Sequence, residues 1–264
     1  MISSSTVVTS VVEKLRQALA RGQWRSGEML PGQRELAEAV YRTHTHHRCL
    51  LAQAPTGIGK TLGTIFPMLK AMAPQQLDKL LFLTAKTPGR QLALDAARVL
   101  FASQSQLPLR VLELVARDKA CEHLDKACHG ESCPLAKGFY QRLPAARQAA
   151  SQVPMLDRQA LREVALAHQV CPYYLSQEMA RWSDLVVADY NYYFDFSALL
   201  FGLAQANQWQ VAVLVMYMLT LQTRLLPRAM EWLWYIEQKE KLGIWSLFSS
   251  IRRLCIILEN IRLF

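Results

Sequence analysis

The stretch Ala54-Pro55-Thr56-Gly57-Ile58-Gly59-Lys60-Thr61 carries the residue types and spacing of a phosphate-binding loop, with Ala at the first position where glycine is usual. Gly57 and Gly59 can take backbone conformations closed to other residues, so successive N–H groups can aim at phosphate oxygens. A following helix would add the positive end of its dipole. Lys60 is placed to reach the β- and γ-phosphates and the Thr61 hydroxyl to coordinate Mg²⁺. A Gly-rich turn could match the pattern by chance, and the flanking elements argue against that.

Nucleotide hydrolysis also needs an acid on a neighbouring strand to hold the metal. Residues 211–215 (Val-Ala-Val-Leu-Val) form an apolar strand suited to carry one, yet Met216-Tyr217-Met218-Leu219 follows with no acid. Asp189 ends another apolar strand and is the other candidate, although a loop acid at a strand end is the reading we prefer. If Asp189 were the metal acid, the chain would be a compact metal-containing NTPase.

Four of the six cysteines form a second constellation, Cys121, Cys128, Cys133 and Cys171, amid polar neighbours such as Glu122, Asp125 and His129. Their spacing is looser than the two close pairs of a structural zinc site, and Cys133 and Cys171 each precede Pro. A [4Fe–4S] cluster is the preferred occupant, with Zn²⁺ as runner-up. Cys49 and Cys255 read as core thiols, Cys255 in an apolar helix. His44, His46 and His47 read as an exposed loop before a strand and stay unassigned.

These groups must be positioned by a scaffold. Helical periodicity covers residues 6–19 and 33–41, and apolar runs near 49–54, 79–84, 110–115, 184–189 and 211–215 read as strands. Helices are expected over 59–72 and from Thr87-Pro88 to about 101. That alternation predicts an α/β fold with a parallel sheet, interrupted by a basic, helical insertion between Cys121 and Cys171. The organisation expected is 1–120, N-terminal helices and the first part of an ATP-binding domain; 121–171, the cysteine insertion; 172–215, the return to the sheet; and 216–264, a divergent, apolar, helix-permissive tail with three of the six Trp and no Asp. A shifted reading frame or truncation would produce the abrupt change at 216. The chain has 264 residues, 52% hydrophobic and 19% charged, a globular composition. Its net charge of +9 favours a polyanionic partner. No apolar run is long enough to span a bilayer and no signal peptide is apparent, so a cytoplasmic protein without a membrane partner is expected.

The combination of APTGIGKT with a four-cysteine insertion resembles the iron–sulfur superfamily 2 DNA helicases of the DinG/XPD type. The resemblance extends over about residues 31–215. Pro31-Gly-Gln-Arg34 is similar to an upstream segment whose glutamine reads adenine, which implies Gln33. Leu83-Thr-Ala-Lys-Thr87 stands where the family touches a DNA strand, implying Lys86 and Thr87; Cys171-Pro-Tyr-Tyr174 resembles the fourth cluster ligand. Residues 185–192 are similar to the strand and loop before the DEAH box, which is missing after Val215. The resemblance implies a RecA-like domain, ATP with Mg²⁺, a monomer, and 5′-to-3′ unwinding of forked and single-stranded DNA. Arg142 and Arg147 would then contact DNA phosphates. Without the DEAH acid and a second lobe, weak nucleotide binding and no unwinding are expected of this chain. The competing expectation is a non-catalytic, metal-bound module for single-stranded DNA.

Overall fold

The computed structural model describes residues 32–46, 48–55, 57–72, 74–84, 87–103, 109–194, 197–218 and 254–259. The helix expected over 6–19 lies outside them, as do Pro31, His47, Thr56, Lys86 and Leu219.

Lys79–Thr84 (β2) shows how the sheet is built. All six of its residues are buried, so a continuous apolar run, Leu80 to Leu83, can face cores on both sides. The other strands are β1 (Leu50–Ala54), β3 (Val111–Glu113), β4 (Met155–Leu156), β5 (Leu185–Asp189), β6 (Val211–Met218) and β7 (Leu254–Glu259). They form one seven-stranded sheet in the order β1-β7-β6-β2-β5-β3-β4. Every pairing is parallel, so all C-terminal strand ends share one edge.

Strand alternation divides the apolar residues between two cores. Leu80, Phe82, Val111, Leu185, Val187, Ala212, Leu214 and Met216 pack against α1 (Gln33–Thr45), α2 (Lys60–Met72) and α3 (Thr87–Ser103). Leu81, Leu83, Leu112, Val186, Ala188, Val211, Val213 and Val215 face the opposite way. There they meet α5 (Phe139–Ser151), α6 (Arg158–Ala167), α7 (Pro172–Met179) and α8 (Leu199–Ala206). A short helix, α4 (Arg117–Ala120), leads into the cysteine loop.

The α/β parallel-sheet class expected from the alternation is therefore present, with helices on both faces. Several details differ. The tail, expected to be helical, contributes β7, so Cys255 lies on a strand. Strand β6 runs on to Met218, past the expected end at 215. The insertion contributes the edge strand β4 beside β3. Helix α1 extends to Thr45 and buries His44, because one more turn of the Leu36/Val40 face brings position 44 onto the core side. His46 caps that helix, its Nδ1 2.7 Å from the Arg42 carbonyl oxygen. Cys49, expected in the core, is exposed just before β1.

Candidate nucleotide-binding site and cysteine centre

Strand β1 ends at Ala54 and α2 begins at Lys60, so the phosphate-binding loop crosses the C-terminal edge of the sheet between them. Gly57 and Gly59 have φ of +94° and +71°, the left-handed region where a Cβ is disfavoured. The loop is braced from α1. Gln33, 6% exposed, donates from Nε2 to the Gly59 carbonyl at 3.2 Å. A Cβ on Gly59 would collide with that amide, and one on Gly63 would press on the Gln33 Cγ. The buried Lys60 ammonium donates to the carbonyls of Pro55 (2.7 Å) and Ala54 (3.3 Å), which ties the start of α2 to the end of β1. Ile58 packs against the α1–α3 core, anchoring the loop's tip.

Thr61 shows what the strand edge lacks. Its hydroxyl lies 3.7 Å from the Met216 sulfur, and Met216 is buried on β6. A thioether thus meets the side chain that coordinates Mg²⁺ in phosphate-binding loops, where a carboxylate would serve. Asp189 does not replace it. On β5 it stands four strand spacings from β1, about 19 Å at the usual spacing. Burial raises its carboxyl above the ordinary value, partly offset by the Asn191 N–H it accepts from and by Arg90 and Lys119.

A basic cluster surrounds the start of α3. The Thr87 hydroxyl accepts from Arg90 Nη2 (3.1 Å) and Lys119 Nζ (3.4 Å). Arg90, almost fully buried, also pairs with Glu113 at 3.3 Å, and Glu113 accepts the Arg158 N–H that opens α6. Gly89 leaves room for the Thr84 hydroxyl at the end of β2, so the helix can start hard against the strand edge.

The cysteines sit on the insertion side. Cys171 is the N-cap of α7 with Pro172 at the first position. Burial pushes its thiol up; the backbone N–H groups of Tyr174 and Tyr173 pull the other way, and Cys121 and Cys133 are near enough to act on it electrostatically. Tyr174 in turn feels Cys128 and Cys171. Arg117 Nη1 reaches the Cys128 sulfur at 3.7 Å and the His123 N–H reaches that of Cys121 at 3.4 Å. The loop is strapped to α6 by Glu122 and Arg162, two contacts of 2.6 and 2.8 Å that hold the Glu122 carboxyl below its ordinary value. Cys121 and Cys133 are thus near Cys171, and N–H donors reach the sulfurs of Cys171, Cys128 and Cys121, as thiolate ligands require. Among the described residues, however, no group of three or more Cys, His, Asp or Glu is arranged to hold a single metal ion.

The two arginines expected to meet DNA are engaged within the protein. Arg142 donates to the Lys137 (2.5 Å) and Pro134 (3.4 Å) carbonyls, closing the end of the cysteine loop. Arg147 pairs with Glu178 at 3.2 Å and stacks over Trp182. The Met216–Thr61 contact and the place of β7 were missed in the sequence. The available sign for β7 was the six-residue run Leu-Cys-Ile-Ile-Leu-Glu, rich in strand formers.

Residues 76–210 match the family model described as DEAD_2, just over half of the chain. The chain belongs to the DEAD_2 family. The DEAD_2 match runs from the residues before β2 to those just before β6 and takes in all four clustered cysteines, while the phosphate-binding loop precedes it. Within the curated proteins, 104 residues are 31% identical to the Anopheles gambiae "Regulator of telomere elongation helicase 1 homolog", covering 34% of this chain and 10% of that protein. Among solved structures, "Truncated XPD" matches with a TM-score of 0.44 and 18% identity over 68% of this chain and 51% of its own. The chain thus spans about a tenth of the mosquito relative and about half of the solved one.

Proposed function

We propose that this DEAD_2 chain is the nucleotide-binding lobe of an ATP-dependent DNA helicase of the DinG/XPD type. The observation that carries the reading is the phosphate-binding loop. Two left-handed glycines, a buried lysine and a glutamine clamped onto Gly59 converge at the C-terminal edge of a parallel sheet. Open parallel sheets take their ligands at that edge. In this reading Gln33 recognises adenine, residues 54–61 enclose the phosphates, and Thr61 takes Mg²⁺. Steady hydrolysis and 5′-to-3′ unwinding belong to the two-lobed protein, because a second lobe must close on the nucleotide. In this reading Lys86 and Thr87 contact single-stranded or forked DNA, and the +9 charge draws the strand in.

The cysteine centre is read as a [4Fe–4S] site, with zinc as the alternative. Four thiolates bound tetrahedrally at about 2.3 Å around one zinc must crowd together, whereas a cluster spreads them. When bound, the group would supply a rigid inorganic brace. Cys121, Cys128, Cys133 and Cys171 would hold it, and the N–H groups of Tyr173, Tyr174 and His123 would stabilise the thiolate charge.

Calorimetric titration of ATP with Mg²⁺ tests the nucleotide reading. Binding by the native chain that falls at least tenfold in Lys60→Ala is expected; no heat in the native chain would refute it. Anaerobic purification tests the centre, where a brown protein containing iron and sulfide is expected and a colourless zinc protein refutes the cluster.

A second reading has its own support in the Met216–Thr61 contact, which leaves β6 without a metal acid. It is a metal-bound module for single-stranded DNA with no ATP chemistry. Salt-sensitive strand binding unaffected by Lys60→Ala, in a chain that ignores ATP, would establish it.

A further inference from the structure

Gln33 carries a primary amide yet is almost wholly buried, and two glycines of another segment make room for it. It opens α1 directly after Gly32, whose φ of +81° turns the chain into the helix. Leu36 and Val40 hold α1 against α2, in one core with Ile65, Met68 and Leu69. That packing lays the Gln33 stem on α2 at Gly63, where an added Cβ would stand 3.3 Å from its Cγ. The amide then occupies the place into which a side chain at position 59 would project.

The Gly59 carbonyl accepts twice, from the Gly63 N–H at 2.9 Å and from Gln33 Nε2 at 3.2 Å. The first bond belongs to the start of α2; the second comes from a residue 26 positions away in the chain. A trans peptide is planar with its C=O and N–H opposed, so fixing the Gly59 oxygen fixes the direction of the Lys60 N–H. Lys60 is the first residue of α2, so that N–H has no acceptor within the helix and points out of its end. Such N–H groups are what a phosphate-binding loop offers to phosphate oxygens. Glycine at 59 leaves its own backbone free to turn, and the Lys60 ammonium holds Ala54 and Pro55, not Gly59. The clamp from α1 is therefore what the orientation of this peptide depends on.

We propose that Gln33 is a positioning residue for the triphosphate itself: through the Gly59 carbonyl it aims the Lys60 N–H at the phosphates, whatever base is attached. This rests on the nucleotide-binding reading above and adds a second role to the adenine contact given there to Gln33. An amide serving the base alone matters only to a ligand that carries adenine. An amide that sets the loop matters equally to a bare polyphosphate.

The test titrates the full chain in Mg²⁺ by calorimetry with ATP, GTP and inorganic tripolyphosphate. Gln33→Met keeps an unbranched stem on Gly63 and drops the amide. It is expected to weaken all three ligands by a similar factor, about fivefold, the worth of one hydrogen bond. A variant that weakens ATP and leaves tripolyphosphate and GTP at native affinity overturns the inference, and the nucleotide reading stands. A native chain that binds none of the three overturns both. Should tripolyphosphate and GTP bind the native chain too weakly to measure, hydrogen exchange over residues 57–61 without nucleotide decides. Faster exchange there in Gln33→Met, with Lys79–Thr84 unchanged, supports the inference, and native exchange at 57–61 overturns it. Gln33→Leu replaces Gln33→Met if the latter loses its native circular dichroism; loss of the fold in both assigns Gln33 to the core alone and overturns the inference.

Discussion

Gly59 has two reasons to be glycine, its left-handed φ and the Gln33 amide where a Cβ would stand. Gly59→Ala is therefore expected to cost about 1–3 kcal/mol in denaturant unfolding and to weaken ATP about tenfold. Gly57 shares the backbone demand alone, since nothing stands within 4 Å of its would-be Cβ. Gly57→Ala should be the milder of the two in the same assays. The cysteines divide by exposure: Cys49 and Cys128 are exposed, while Cys133 and Cys171 are buried and burial raises the Cys171 thiol. Thiolate is the reacting form, so iodoacetamide mapping by mass spectrometry should label Cys49 and Cys128 first and Cys171 slowly. In protein purified without oxygen, Cys128 should join the protected set and Cys49 should not. Equal labelling of Cys49 and Cys128 in that preparation would count against a centre at the four inner thiols.

At the scale of elements, β2 is anchored at its start by Lys79. Its ammonium donates to the carbonyls of Arg181 (2.8 Å) and Ser183 (2.5 Å) and lies 4.6 Å over the Trp209 ring. Desolvation lowers its pKa from 10.5 to about 8, against the pull of Asp184. The unfolded chain then binds more protons than the folded one between those values, so this group makes stability rise with pH from about 8 to about 10.5. The full span is of order 3 kcal/mol. Denaturation midpoints across that window should climb in the native chain, and the climb should be lost in Lys79→Met. At the opposite edge Glu113 joins α3 to α6 through Arg90 and the Arg158 N–H. Glu113→Ala would strand a buried guanidinium and should cost about 3–5 kcal/mol in urea unfolding.

For the molecule as a whole, β7 joins what the order of the chain separates. Among the described residues β1 pairs with β7 alone, so the strand that carries the phosphate loop is attached to the sheet through residues 254–259. A proline at 257 removes an N–H in the middle of an interior strand. Ile257→Pro should therefore abolish hydrogen-exchange protection over Leu50–Ala54 while Lys79–Thr84, held between β6 and β5, keeps most of its own. Equal protection of β1 in both chains would show that β7 does not hold it.

Much of this arrangement was legible in the residues alone. The phosphate loop, the strand before it and the helix after it are local, and their glycines, lysine and threonine are set by one turn's chemistry. The four cysteines read as a set because their density and polar surroundings are local too, whereas among the described residues no three of them are arranged to hold a metal ion. His44 was misread because one further helical turn, set by packing against α2, decided its burial. Sequence likewise fixed the lack of an acid at 216–219 and the all-parallel character of the alternating segment. Which strand stands beside β1 was decided only in three dimensions. A six-residue apolar run has no periodicity to separate helix from strand. Its partners, β1 and β6, lie far away in sequence and offer it two open hydrogen-bonding edges only once the rest of the sheet has formed.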